Sequence, residues 1–505
     1  MDWVSLKSGS DVRGTAIGEG TVLTDEIARA LGFVFARKLA EDQGKDIGEI
    51  TVALGRDSRV TGPALLDAAA DGIRRAGAEA VRFGMCTTPA MYMSTITEGF
   101  LASGAIMLTA SHHPWNKNGL KFFTNKGGLE GAEIAAMLKA AQEARPEACP
   151  PCGRMTDRAF LPVYMEQLAG RIRRGLKTEE AKPLKGLHVV VDAGNGAGGF
   201  YADMLRNLGA DTEGSQFLEP DGYFPNHIPN PENGDAMASL QAAVQRSGAD
   251  LGVIFDADCD RAAVVDGDGK QVNRNRLIAL ISAILLADEP GATIVTDSVT
   301  SSGLKAFIEN RGGHHYRFKR GYRNVIDEAI RLNGEGISCP LAIETSGHAA
   351  LKENHFLDDG MYLVTVLIVK AMELKREGKT LGALIADLKD PLESAEIRLN
   401  ITEPDFRKAG EAAIRQVTAY AQARENWHIA PDNREGIRIS FDLDGEKDAG
   451  WFLLRLSVHD PVMPINAESD REGGVRRILS WLRDALEGAK GLETGALDKA
   501  AGRTV

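Results

Sequence analysis

Short apolar runs alternate with longer amphipathic stretches through residues 50–310. The runs at 50–54, 188–191 and 293–295 have the length and the bounding turn residues of buried strands. The stretches at 63–76, 200–208 and 302–310 place apolar residues at helical spacing. A small polar loop joins each pair, at 55–58, 192–199 and 297–302, and a glycine step at Gly77, Gly209 or Gly312 leads into a second strand. A strand–helix–strand unit that recurs three times predicts similar α/β domains, with helices covering parallel or mixed sheets. The pattern then changes. Residues 397–401, 437–441 and 451–457 alternate apolar and polar around a helical stretch at 406–424, and a last helix is expected at 473–486. That predicts a C-terminal α+β domain on an antiparallel sheet. Boundaries are expected in the proline-rich stretch around Cys149-Pro-Pro-Cys152, near 267–271 and near 390–393, giving four domains at 1–155, 156–270, 271–392 and 393–505. The small polar residues beyond Gly488 are expected to fray.

Composition narrows the function classes. A chain of 505 residues exceeds one core, and a net charge of −12 argues against a nucleic-acid or membrane-surface binder. No apolar run is long enough to span a membrane, and residues 1–20 lack the apolar core of a secretory signal. The five scattered cysteines suit a reducing compartment, so a cytoplasmic location is expected. Cys149 and Cys152 have redox-motif spacing but no strand leading into them.

Candidate chemistry gathers at five places. After the apolar residues 105–108, the segment Thr109-Ala110-Ser111-His112-His113-Pro114 is followed by Asn118-Gly119 and Lys121. One loop thus offers a nucleophilic hydroxyl, imidazoles and an ammonium. Asp256, Asp258 and Asp260 alternate between two apolar strands and end at Arg261. Their mutual repulsion is relieved by a divalent cation, and an all-oxygen set favours Mg²⁺ over Zn²⁺. An EF-hand is excluded, since Arg261 and Gly267 stand where that loop needs Gly and Glu. Gly194, Gly196 and Gly199 spell the dinucleotide fingerprint after a strand, a weak signal by itself. Glu344, Ser346 and His348 alternate after another apolar run, a set suited to sugar hydroxyls. Arg455, with Ser457, can clamp a phosphate at a strand end.

In this order the clusters, the glycine loop aside, resemble the α-D-phosphohexomutases, which include phosphoglucomutases, phosphomannomutases and phosphoglucosamine mutases. The Thr-Ala-Ser-His-x-Pro segment is similar to that family's phosphoserine loop, 256–261 to its magnesium loop, 344–348 to its sugar-recognition loop and Arg455-x-Ser457 to its C-terminal phosphate loop. Asp11-Val12-Arg13-Gly14 resembles the family's Asp-x-Arg-Gly, whose arginine contacts the active serine. The resemblance implies four domains around a central cleft, three of them similar, and a mobile fourth that closes it. It implies an isomerase of the intramolecular phosphotransferase kind, a phosphohexomutase interconverting glucose or mannose 1- and 6-phosphates. Ser111 would carry the phosphate and, with the three aspartates, bind Mg²⁺. A hexose 1,6-bisphosphate would be intermediate and activator. Arg13 and Arg261 would stabilise charge, and His112 and Lys121 would move protons. A small-molecule phosphosugar is then the expected partner, and a monomer or dimer the expected state. The alternatives are a phosphoglucosamine mutase and a catalytically weak phosphosugar-binding relative.

The chain departs from the family pattern at His113, where Asn is usual, and at Ala257, where Gly is usual. Lys319-Arg320-Gly321-Tyr322-Arg323 replaces a small-residue–Gly–His pattern, and the C-terminal loop reads Ser457-Val458-His459-Asp460-Pro461, with Pro464 near where an arginine is common. His459, Lys319, Arg320 and Arg323 are the candidates to compensate in gripping a phosphate.

Overall fold

The apolar run before Ser111 forms the buried strand Gly104–Leu108 in the computed structural model, which describes residues 1–457 and 460–503. Neighbouring strands follow the order Lys7–Ser8, Asp11–Thr15, Lys117–Thr124, Gly104–Leu108, Thr51–Arg56, Glu79–Met85, Met155–Asp157. Thr51–Arg56 runs parallel to both of its neighbours, whereas Lys117–Thr124 is antiparallel to both of its own. The sheet is therefore mixed. The connection 109–116 is too short for the dozen or so residues a parallel crossover needs, so the chain must turn straight back. That reversal is the loop that carries Ser111. Helices Asp25–Gln43 and Gly62–Ala76 join the sheet in one core through Leu31, Phe35, Leu66, Ile73, Ile106 and Phe122.

A second sheet in the same compact unit has the order Gln271–Val272, Ala262–Asp266, Leu251–Phe255, Val189–Asp192. Leu251–Phe255 pairs parallel with Val189–Asp192 and antiparallel with Ala262–Asp266, so residues 256–261 form the tip of a hairpin. The strand expected after Gly209 shrinks to isolated bridges, Asp211 to His188 and Gln216 to Asp192, because the intervening residues are polar and turn at Gly214. This unit comprises Met1–Leu280 and Ser346–Leu384.

The other unit begins at Ile281, breaks at Thr345 and resumes at Ile385. Its first part pairs Thr293–Thr296 parallel with both His314–Arg317 and Leu341–Ile343, with helices Ser302–Asn310 and Tyr322–Gly334 between them. Its second part is an antiparallel sheet ordered Trp427–Ile429, Ile437–Leu443, Glu446–Leu454, Val462–Ser469, Glu393–Ile401, Leu492–Glu493. Val462–Ser469 escaped the sequence reading because Pro464 removes a ladder donor and breaks the pattern. The expected fraying beyond Gly488 is corrected. Leu492–Glu493 pairs with the edge of Glu393–Ile401, and helix Gly495–Ala500 buries Leu497 in the C-terminal core. Two apolar residues in that polar segment suffice to dock it. Among the described residues no helix is long and apolar enough to cross a membrane.

Candidate active site

The strand Gly104–Leu108 ends against Thr109, and two residues later Ser111 takes φ +51°, a left-handed conformation uncommon for a residue with a Cβ. Its amide donates to Thr109 Oγ1 at 2.8 Å. Its hydroxyl, nearly fully buried, donates to Asp256 Oδ2 at 2.7 Å, accepts from Arg261 Nη2 at 3.0 Å and lies 3.2 Å from His112 Nδ1. Burial, reinforced by the positive charges of Arg261, His113, Arg13 and His348, pushes the His112 pKa down to about 2. His112 is thus a neutral imidazole beside the hydroxyl.

The hairpin tip supplies the carboxylates. Asp256, Asp258 and Asp260 are buried, with ligand oxygens all within 4.8 Å of one another. Lys121 Nζ lies 2.9 Å from Asp258 Oδ2 and also contacts Asp260. Arg261 reaches Asp256 Oδ2 through Nε at 3.1 Å and Nη2 at 3.0 Å. Burial, with the charges of Asp260 and Asp258, raises the Asp256 pKa well above the carboxylate range. For Asp260 the penalty of burial is outweighed by Lys121, His348 and Arg261, which hold its pKa far down. Asp258 Oδ1 and Asp260 Oδ1 are buried without a hydrogen-bond partner. Orphaned, closely spaced carboxylate oxygens are costly in a protein interior and are what an oxygen-preferring divalent cation satisfies. The acidic triad therefore fits a metal ion.

Close packing explains the neighbouring sequence signals. A Cβ at Gly196 would lie 2.7 Å from the Ala257 backbone, and one at Gly198 would lie 3.0 Å from Cys259 Sγ. The Ala197 amide donates to the Ala257 carbonyl at 2.9 Å. Of the fingerprint glycines, Gly196 backs the aspartate hairpin, whereas a Cβ at Gly199 would lie 2.1 Å from the Leu218 carbonyl oxygen and one at Gly194 3.0 Å from Pro229.

Two supporting groups were not singled out from sequence. Thr88, in the first turn of helix Thr88–Ile96, donates from Oγ1 to Asp258 Oδ2 at 2.5 Å, while its amide donates to the Asp258 carbonyl at 2.9 Å. A Thr-Pro at a helix start reads only as an N-terminus, so its partner 170 residues away is invisible in the chain. Asp358 accepts from His348 Nδ1 at 2.5 Å, and despite burial this pairing lifts the His348 pKa to about 9. His348 itself is bridged, antiparallel, to Arg261. Arg13, on the strand beside Lys117–Thr124, pairs with Asp11 at 2.8 Å and keeps a buried Nε without an acceptor. Ser346 is buried in the same unit.

The other unit holds the remaining candidates. Glu344 is buried and accepts from the Gly321 amide at 2.6 Å, where φ of +120° suits only glycine. The Arg320 amide donates to Glu435 Oε2 at 3.2 Å, and its Nε lies 3.9 Å from Asp297 Oδ2. Arg455 is largely buried, its Nε lacks an acceptor, and burial lowers its pKa against the opposing pull of Glu435. Arg320 is among the charges acting on Arg455, so the two guanidinium groups share one neighbourhood. Arg323 forms an (i, i+4) pair with Asp327 at 3.2 Å, Lys319 is exposed, and Ser457 Oγ accepts from the Asp460 amide at 3.3 Å. His459 lies outside the described residues. Asp297 and Glu435 organise this cluster, although in sequence they are isolated acids in loops.

Comparison with known proteins fixes the family. Models described as phosphoglucomutase/phosphomannomutase alpha/beta/alpha domains I, II and III match residues 5–147, 162–269 and 273–391 in series. The chain belongs to the α-D-phosphohexomutases. It is an isomerase, a phosphotransferase acting within one substrate, and its three α/β domains are followed by a C-terminal sheet domain. Among similar phosphohexomutases, the phosphomannomutase/phosphoglucomutase of Pseudomonas putida is 30% identical over 488 residues, covering 95% of each chain. A phosphoglucomutase of Neisseria gonorrhoeae is 29% identical, covering 94% of this chain and 95% of its own. The crystal structure of a phosphoglucomutase/phosphomannomutase family protein from Burkholderia thailandensis superposes with a TM-score of 0.79 at 28% identity, covering 98% of this chain and 99% of the other.

Proposed function

We propose that this phosphohexomutase interconverts the 1- and 6-phosphates of glucose or mannose through a phosphoserine at Ser111 and a hexose 1,6-bisphosphate. The observation that carries the reading is the Ser111 hydroxyl, held at once by Asp256 and Arg261, in a triad with two buried carboxylate oxygens that accept no hydrogen bond. In the first half-reaction a sugar hydroxyl attacks the Ser111 phosphorus. The phosphorus–Oγ bond breaks as the phosphorus–sugar oxygen bond forms, and Ser111 Oγ leaves toward Arg261. A phosphate on Ser111 raises the basicity of His112, which accepts the sugar's proton and returns it to Oγ. In the second half the bisphosphate is turned in the site and Oγ attacks its other phosphorus. The bond from that phosphorus to the sugar oxygen breaks, and the Oγ proton passes through His112 to that oxygen. The serine ester is restored and the product is the isomeric monophosphate. Alignment and charge stabilisation dominate such transfers. Asp256, Asp258 and Asp260 would hold Mg²⁺, which would neutralise charge on the moving phosphoryl group. Lys121 keeps Asp258 and Asp260 in register. Glu344, Ser346 and His348 would contact sugar hydroxyls, while Arg455 and Arg320, with Lys319, Arg323, Ser457 and His459 nearby in sequence, would grip the phosphate that is not being transferred.

The test is phosphorus NMR of purified enzyme with Mg²⁺ and a trace of hexose 1,6-bisphosphate, with glucose and mannose 1-phosphates offered separately. A 6-phosphate signal from either sugar is expected. Silence on both from folded, bisphosphate-primed protein overturns the proposal.

A further inference from the structure

Arg59, the residue after the polar loop at 55–58, is buried completely. Its guanidinium spends four donors on one segment. Nη2 donates to the carbonyls of Ser111 at 2.6 Å and His113 at 2.7 Å, and Nη1 to those of Pro114 and Lys117 at 2.8 Å each. Nε lies 3.3 Å from Asp57 Oδ2. Asp57 closes a circuit, because its Oδ2 also accepts from Thr109 Oγ1 at 2.7 Å and Thr109 Oγ1 accepts from the Ser111 amide at 2.8 Å. The Arg59 amide donates to Asp57 Oδ1 at 3.0 Å, and the face of Phe224 lies 5.1 Å from the guanidinium carbon. Both peptide groups of Ser111 are thereby fixed, its amide through Thr109 and its carbonyl through Arg59.

We infer that Arg59, with Asp57 and Thr109, is a positioning device for phosphoryl transfer, holding Ser111 in its left-handed conformation while the serine gains and loses phosphate. The inference rests on the reading of Ser111 as the phosphoserine. A non-glycine residue at positive φ relaxes unless its surroundings over-determine it, and relaxation would swing Oγ away from Asp256 and Arg261. A planar fork matches several carbonyls at once, which a lysine ammonium on the same stem does not. All four hydrogen bonds from Arg59 to carbonyls fall on residues 111–117, so the device acts on the reacting loop.

The experiment compares wild type with R59K, T109V and T109S. Phosphate on Ser111 of the wild type, after incubation with hexose 1,6-bisphosphate, is read first by mass spectrometry; its absence removes the phosphoserine reading and this inference with it. With wild type phosphorylated, R59K is expected to lose about a hundredfold in kcat, with KM within about threefold, because misplacing a reacting group by about 1 Å carries that scale of effect. The phosphoserine line in its phosphorus spectrum is expected to shift. T109V, nearly isosteric, is expected to lose about tenfold in kcat, and T109S to recover to within about twofold of wild type. A folded R59K or T109V within about threefold of wild-type kcat, a loss confined to KM, or a T109S as impaired as T109V overturns the inference while leaving the phosphoserine in place. Should R59K fail to fold, the T109V and T109S pair decides.

Discussion

In the first unit three carboxylates cluster, one of them on Ser111, and two of their buried oxygens, Asp258 Oδ1 and Asp260 Oδ1, accept no hydrogen bond. In the second unit the orphan in the cluster of Arg320 and Glu435 is a guanidinium nitrogen, the buried Arg455 Nε. One centre suits a cation and the other an anion. Each is a ligand specification written in the side chains, since leaving a buried polar atom unpaired costs roughly 1–3 kcal/mol. Arg13 Nε and Arg59 Nε are further buried donors without a hydrogen-bond acceptor in the first unit, and Arg13 lies near Asp258 and Asp260. A phosphate on Ser111 would be an anion for Arg13.

The sharpest way to break the contrast is to remove the group that links cation and anion chemistry. S111A is expected to take up no phosphate from hexose 1,6-bisphosphate and to lose about four orders of magnitude or more in kcat. Retained turnover would show that the carboxylate cluster serves a different nucleophile. Next in size, T88V deprives Asp258 of a hydroxyl donor without touching the triad itself. Weakening of activating Mg²⁺ by about tenfold to a hundredfold is expected, read as the metal concentration for half-maximal activity. An unchanged metal dependence would place Asp258 outside the cation site.

The second unit calls for a different signature. R455K keeps the positive charge and discards the fork. It is expected to raise KM for the sugar phosphate by about tenfold while kcat falls by less than about threefold, the mark of uniform binding. Equal losses in kcat and kcat/KM would move Arg455 from binding to the transition state, and the contrast between the units would fail.

How much of this the chain disclosed follows the range of the interactions. The strand and helix of 302–310 or 437–441 show in local periodicity, and Ser111, the aspartates and Lys121 stand in short segments whose composition is odd for a turn. What stayed hidden depends on distant partners. Thr88, Asp358, Asp297 and Glu435 are ordinary residues until folding brings Asp258, His348, Thr345 and Arg320 to them. The glycines at 194–199 are a weak signal, and close packing accounts for them: Gly196 and Gly198 lie against Ala257 and Cys259, Gly199 against Leu218. Pro464 hid a central strand, and Leu497 docked a tail whose composition reads as disordered.

Within the first unit the balance of charge is itself uneven, and pH exposes it. Asp358 faces His348, but its neighbour Asp359 is served by neutral donors alone: Tyr164 Oη at 2.7 Å, Asn354 Nδ2 at 3.1 Å and the Tyr362 amide at 2.9 Å, where it caps helix Gly360–Arg376. Burial lifts its pKa from 3.8 to about 6. Because the folded state holds this proton more tightly than the unfolded chain, the native state binds more protons between those two values. Stability from this group is therefore fully present below the unfolded pKa and is lost as pH rises through the folded one. A shift of that size corresponds to roughly 3 kcal/mol. D359N keeps an acceptor and a cap but has no proton to lose. Its unfolding free energy relative to wild type is expected to rise by up to about that amount between pH 4 and pH 7, and denaturant titrations at both pH values read it directly. A difference that stays flat with pH would mean that the folded pKa equals the unfolded one, and that neutral donors alone offset the burial of this carboxylate.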